Sequence, residues 1–300
     1  MEWMKQLSRA IDYIENNLTG DISYEEAAQI ACCSTYYFQR MFSYVAGIPL
    51  SDYIRRRRMT IAAFELQAGE AKVMDIGVKY GYVTPTSFNR AFQAVHGVAP
   101  TVARREGTKL NAYPRISFSI QVTGGERMRY RIETKDPIRI VGVKVALQEE
   151  QEQNFKIVPE FWDATLKSNV IAEICQLTNQ TPHGILGVSV YQNPEKIDYY
   201  IAAATDKTVP EKLAEYEIPA ATWVIFEGDG HFQESVQTIF KRFLTEWLPF
   251  SGYEYAELPD IEVYPAGNPK IKIGHSEVWI AVKKAKQYKE TEGGESNAGY

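Results

Sequence analysis

Ala31, Phe38, Arg40, Phe42 and Gly47 recur fifty residues later as Gly81, Phe88, Arg90, Phe92 and Gly97, with Pro49 and Pro100 one residue out of step. A repeat of this length restricts the first hundred residues to two copies of one small unit. Within each copy the spacing is helical. Phe38, Phe42 and Val45 form an apolar stripe, and Tyr36, Gln39, Arg40 and Ser43 form a polar stripe on the opposite side. The second copy repeats the division, with Phe88, Phe92 and Val95 inward and Thr86, Asn89, Arg90 and Gln93 outward.

The flanking residues predict a short helix, a turn and then this two-faced helix. Ser23 and Glu26 have capping-box spacing, Ala31-Cys32-Cys33 occupies the turn, and Ser34 caps the next helix. In the second copy Gly81 permits the turn, Thr84 is the cap, and Pro85 takes the first helical position, where its missing N–H costs nothing. Gly47 and Gly97 stand where left-handed helix ends are favoured.

On the stretches AAQIACCSTYYFQRMFSYVAGIPLSDYIRRRRM and DIGVKYGYVTPTSFNRAFQAVHGVAPTVAR, residues 4–106 resemble the AraC/XylS family of bacterial transcription regulators. The resemblance implies two helix-turn-helix units, joined by a helix over residues 51–67, that enter successive major grooves. It makes Tyr36, Gln39, Arg40 and Ser43, with Thr86, Asn89, Arg90 and Gln93, the candidate DNA-contacting residues. Arg40 matches a base-contacting position of the family. The second copy departs from the family pattern, carrying Pro85 and Thr86 where glutamines are common.

Charge agrees when divided along the chain. Residues 31–108 hold ten basic and five acidic side chains, whereas residues 109–300 carry a net charge of −6. The run Arg55 to Arg58 points four ways around a helix, so it reads either as a phosphate patch or as a structural and solvated stretch. Adjacent Cys32 and Cys33 lack zinc-ligand spacing and Cys175 stands alone, so no metal, cofactor or disulfide is expected, and small side chains buried in the turn are expected over redox sensing at Cys32-Cys33. No apolar run approaches the roughly 20 residues a bilayer requires, and the first residues lack the form of a signal peptide. A cytoplasmic protein that does not engage membranes is expected.

After residue 108 the period changes. Strand-like stretches at 129–132 and 138–146, a helical region over 159–177, and strands at 187–191 and 198–204 are followed by the same order at 221–227, 231–248, 261–264 and 277–282. The fold expected is α+β multidomain: an all-α double helix-turn-helix domain (1–108), a linker (109–126), an α+β domain (127–288), and a disordered tail (289–300). The α+β domain should hold an antiparallel sheet built from two strand-helix-strand-strand repeats, with helices on one face and the other free to form a groove.

The segments RIVGVKV, YYIAAAT, IPAATWVIFEGDGHFQESVQTIFKRFLTEWLP and SEVWIAVKK are similar to the GyrI-like effector-binding domain, in the domain order of the Rob type. The resemblance implies a pocket between the repeats for a small, often aromatic or cationic, effector. A carboxylate among aromatic rings selects a lipophilic cation. Glu277, beside Trp279, matches the family's functional glutamate, while strand alternation equally allows it to be a surface residue. Trp162, Tyr191, Tyr199, Trp223 and Phe226 are the candidate aromatic lining.

The function expected is a sequence-specific transcription regulator, an activator, with promoter DNA, RNA polymerase and a small effector as partners and no enzymatic activity. Two alternatives stay open for the C-terminal half: a protein-interaction module, or a hydrolase-like enzyme domain.

Overall fold

Ser23 and Ser34 cap their helices in the computed structural model as their spacing predicts, each side chain accepting a hydrogen bond from the backbone N–H three residues on. The structure describes residues 2–69, 71–118, 127–193, 196–208, 210–265 and 273–285. The expected tail, 289–300, and residues 119–126 of the expected linker lie outside these residues.

The helical half runs α1 (Glu2–Asn16), α2 (Tyr24–Ile30), α3 (Thr35–Ala46), α4 (Leu50–Ala68), α5 (Val73–Lys79), α6 (Pro85–His96) and α7 (Pro100–Ala103). α2–α3 and α5–α6 are the two helix-turn-helix units. Gly47 and Gly97 end α3 and α6 at φ of 72° and 75°, conformations glycine adopts without a Cβ penalty. In the turns, Gly81 at φ 85° finds its counterpart in Cys32 at φ 57°, one position later than the fifty-residue offset indicates. Cys32 is exposed and Cys33 partly buried, so only the second fits the expectation of a buried turn cysteine.

Two cores result, Phe38, Phe42, Leu50 and Tyr53 packing with α1 and α2, and Phe88, Phe92, Ile76 and Tyr80 packing with the end of α4. The arginine run on α4 is engaged within the chain. Arg55 and Arg56 pair with Asp52, Arg57 binds Glu15 at 2.8 Å, and Arg58 donates to the carbonyls of Leu18 and Gly20. This is the structural alternative for the run.

The second half comprises β1 (Tyr130–Lys135), β2 (Ile138–Ala146), α8 (Gln151–Lys167), α9 (Val170–Leu177), β3 (Ile185–Asn193), β4 (Lys196–Ala204), β5 (Ala214–Ile218), β6 (Ala221–His231), α10 (Phe232–Arg242), β7 (Tyr253–Tyr255), β8 (Asp260–Tyr264) and β9 (Ile273–Lys284). A π-helical turn at Phe243–Trp247 continues α10. All pairings are antiparallel, in the order β1-β6-β9-β8-β3-β4-β2-β5, with β7 on β9. The two strand-helix-strand-strand repeats therefore meet at the β3–β8 junction.

Strand alternation divides the sheet sharply. One parity, including Val141, Ile201, Phe226 and Ile280, packs under α8–α9 or α10. The other parity, with Ile140, Val188, Trp223, Ile261 and Trp279, forms a separate core on which Tyr216, Ala256 and Leu258 also pack. The expectation of a free groove on the helix-less face is therefore corrected: that face is filled with apolar side chains. α8 also begins eight residues before the expected position and carries Pro159 in its interior. The edge strand β5 was not among the expected strands.

Candidate effector cavity and DNA-reading faces

The groove lies on the helix-bearing face, over the junction of the repeats. α8 and α10 flank a cavity of about 320 Å³ whose lining includes Trp162, Tyr199, Glu262, Tyr264 and Phe232. Asp260, Glu262 and Tyr264 alternate on β8 toward this side, while Ile261 and Val263 enter the opposite core. Trp162 Nε1 donates to Tyr199 Oη at 2.9 Å, and the hydroxyls of Tyr199 and Tyr264 each donate to Glu262 Oε2 at 2.9 Å. Glu262 Oε1 is engaged by neither phenol. The Trp162 and Phe232 rings lie 5.3 and 5.1 Å from that of Tyr264.

Burial pushes the Glu262 carboxyl above the ordinary glutamate value, and the two phenolic donors oppose that rise. Burial likewise holds the Tyr199 and Tyr264 hydroxyls protonated, well above the usual tyrosine range. The site thus offers a carboxyl group among aromatic faces with fixed donors on one oxygen. It suits a ligand that supplies positive charge and apolar area together.

Gly187 on β3 keeps this arrangement open. A Cβ at that position would stand 2.2 Å from Tyr199 Oη and 2.8 Å from Glu262 Oε2. Gly187→Ala should therefore displace both groups, lowering stability by about 1–3 kcal/mol and abolishing binding of a cavity ligand. Thermal unfolding and calorimetry of the variant check this; an unshifted melting temperature with unchanged affinity would show that the floor yields freely.

Of the candidate lining residues, Trp162 and Tyr199 reach the cavity. Tyr191 stacks on Tyr36 of α3, ring centroids 5.3 Å apart. Trp223 and Phe226 are buried in the cores on opposite faces of the sheet and do not reach the cavity. Glu277 does not reach it either. It shares the parity of Trp279, which directs it away from the helices, and there Arg131 pairs with it at 2.8 Å while Trp279 Nε1 donates to it at 2.8 Å. The carboxylate in the aromatic cavity is Glu262, which the sequence reading missed.

The two candidate DNA-reading faces have different environments. On α6, Thr86, Asn89, Arg90 and Gln93 are exposed. On α3, Tyr36, Gln39, Arg40 and Ser43 are buried against the sheet domain. Arg40 Nη1 donates to Asp260 at 2.5 Å, with the guanidinium 5.0 Å above the Phe240 ring, and Gln39 Nε2 donates to the Glu149 carbonyl at 2.9 Å. Tyr255 donates to the same carboxylate as Arg40, at 2.7 Å. Desolvation raises the Asp260 carboxyl, against the lowering effect of Arg40.

Residues 131–282 match the family described as "Integron-associated effector binding protein", and residues 27–106 match a "Helix-turn-helix domain" family. The chain is 38% identical over 105 residues to the HTH-type transcriptional activator AarP of Providencia stuartii, covering 35% of this chain and 78% of that protein. It is 34% identical over 93 residues to the regulatory protein SoxS of Escherichia coli K12, covering 31% of this chain and 87% of that one. A crystal structure of a putative bacterial transcription regulation protein from Staphylococcus aureus MU50 aligns with 52% of this chain and 99% of its own, at 21% identity and a TM-score of 0.46. Among the described residues, no helix is long and apolar enough to cross a membrane. With the double helix-turn-helix, the two-repeat sheet and both family matches in place, the chain belongs to the AraC/XylS family of DNA-binding transcription regulators and carries a GyrI-like effector-binding domain.

Proposed function

We propose that this regulator is an activator that reads two major-groove segments with α3 and α6, recruits RNA polymerase, and responds to an aromatic or lipophilic monocation held over Glu262. The observation that carries the ligand class is the half-buried Glu262 carboxyl group, fixed by the Tyr199 and Tyr264 hydroxyls inside an aromatic-walled cavity. A ring-bearing cation gains charge pairing and ring contact there.

In this reading Arg40, Gln39, Tyr36 and Ser43 contact base edges, and Thr86, Asn89, Arg90 and Gln93 engage the second segment with more phosphate contact. Two recognition helices on one frame reach segments about 34 Å apart, so one chain should protect about 20 base pairs without palindromic symmetry. Footprinting on a selected operator checks this, and full protection confined to fewer than about ten base pairs would rule out engagement by both helices.

Calorimetry with tetraphenylphosphonium, an aromatic monocation without a hydrogen-bond donor, tests the ligand class. Binding should weaken as pH falls, because protonating Glu262 removes the anion. Its raised pKa places that loss at a higher pH than a solvated glutamate would give, and affinity should level off once the carboxyl is ionised. A flat affinity from neutral pH to below the ordinary glutamate range would exclude charge pairing with Glu262.

A further inference from the structure

α3 carries two buried faces, which a DNA-reading helix in its DNA-bound state does not have. Phe38 and Phe42 pack into the helical half, as the apolar stripe predicts. The polar stripe is buried as well. Tyr36 stacks nearly parallel on Tyr191, with an interplanar angle of 8°. Tyr37 Oη donates to the Leu258 carbonyl at 2.9 Å, and Tyr44 stacks on Phe240 at 4.5 Å. At the centre, the Arg40–Asp260 pair has side-chain exposures of only 9% and 0%.

The same side of α3 closes the effector cavity. Tyr36, Arg40, Ser43 and Tyr44 are part of its lining together with Glu262, Tyr199 and Tyr264. α6 makes no comparable contact, since its polar stripe remains exposed.

We propose that the reading face of α3 doubles as a wall of the effector cavity, so that the closed cavity and DNA at the first half-site exclude one another. A major groove and the sheet domain cannot both cover Arg40. In the closed chain only α6 is free to engage DNA, and apparent affinity for a two-segment operator is reduced by the fraction of chains in which α3 is released. The exclusion is reciprocal: a ligand that touches the α3 wall and DNA that takes α3 away each weaken the other by the same factor.

Asp260→Asn in the full-length protein is the test, because it leaves every α3 side chain intact while depriving the buried Arg40 of its anion. DNA affinity for a two-segment operator should rise at least about tenfold, and full protection of about 20 base pairs should be reached at a correspondingly lower protein concentration. Tyr191→Ala, which removes the ring beneath Tyr36, should shift both readouts in the same direction and keeps the test decisive if the first variant does not fold. Folded variants that both retain wild-type affinity and footprint would overturn the inference. The inference rests on the polar stripe of α3 being a DNA-reading surface, and that reading fails by a separate signature: Asp260→Asn with Arg40→Ala would then bind as tightly and selectively as Asp260→Asn alone.

Discussion

Glu262→Gln should remove nearly all affinity for an aromatic monocation while leaving the protein folded. The amide has the same shape and can still accept from the Tyr199 and Tyr264 hydroxyls, so the cavity keeps its form. The change is electrostatic. Truncating one partner of a desolvated charge pair costs about 2–5 kcal/mol, which corresponds to losses from roughly 30-fold to several thousandfold. The melting temperature of the free protein should not fall, because a neutral amide escapes the desolvation that raises the carboxyl's pKa. Glu277→Gln is the internal comparison and should leave affinity unchanged, since that carboxylate faces Arg131 outside the cavity. Equal losses in the two variants would remove Glu262 from its proposed role.

Phe92→Ala should have the largest effect on stability and should fall on one half of the molecule. Phe92 is fully buried, 5.8 Å from the Phe88 ring and 4.2 Å from that of His96. Truncating a buried phenylalanine costs about 3–5 kcal/mol, a large part of the roughly 5–15 kcal/mol typical of a folded domain. The second helix-turn-helix should loosen and DNA binding should collapse. Cation binding should persist, because the cavity is lined by α3 and the sheet domain and by no residue of α5 or α6. Differential scanning calorimetry with ligand titration separates the outcomes: a single transition lost together with cation binding would show that the halves unfold as one unit.

Local chemistry made the helical half legible. Cap residues, positive-φ glycines and a helical stripe are properties of short windows, and they located α3 and α6 closely. The same windows showed that Tyr36, Gln39, Arg40 and Ser43 share a face. They contained nothing about what covers that face, because Asp260, Tyr191 and Phe240 reach it across some 150 to 220 residues of chain.

In the sheet domain, alternation separated each strand into two parities without naming the one beneath the helices. Glu277 and Trp279 were correctly grouped, and both belong to the parity facing away from the cavity. The signal for Glu262 was present in the run Asp260-Ile261-Glu262-Val263-Tyr264, where acidic and phenolic side chains occupy one parity and apolar ones the other. An edge strand shows the same alternation, so the sheet order was needed to place β8 at the centre. β5 escaped notice because Glu215 and Glu217 alternate through a short segment at the sheet edge. Pro159 resembled a helix start, a common position for proline, yet α8 runs through it and brings it into the cavity wall.

The most direct measurement of the whole account is DNA affinity of the full-length protein for a selected operator, with and without saturating tetraphenylphosphonium, in the wild type and in Glu262→Gln. The cation should weaken wild-type DNA binding by at least about fivefold, the lower range of coupling between linked sites, and leave the variant unaffected. Identical DNA affinities with and without the cation, at concentrations where calorimetry shows the wild-type cavity filled, would contradict it.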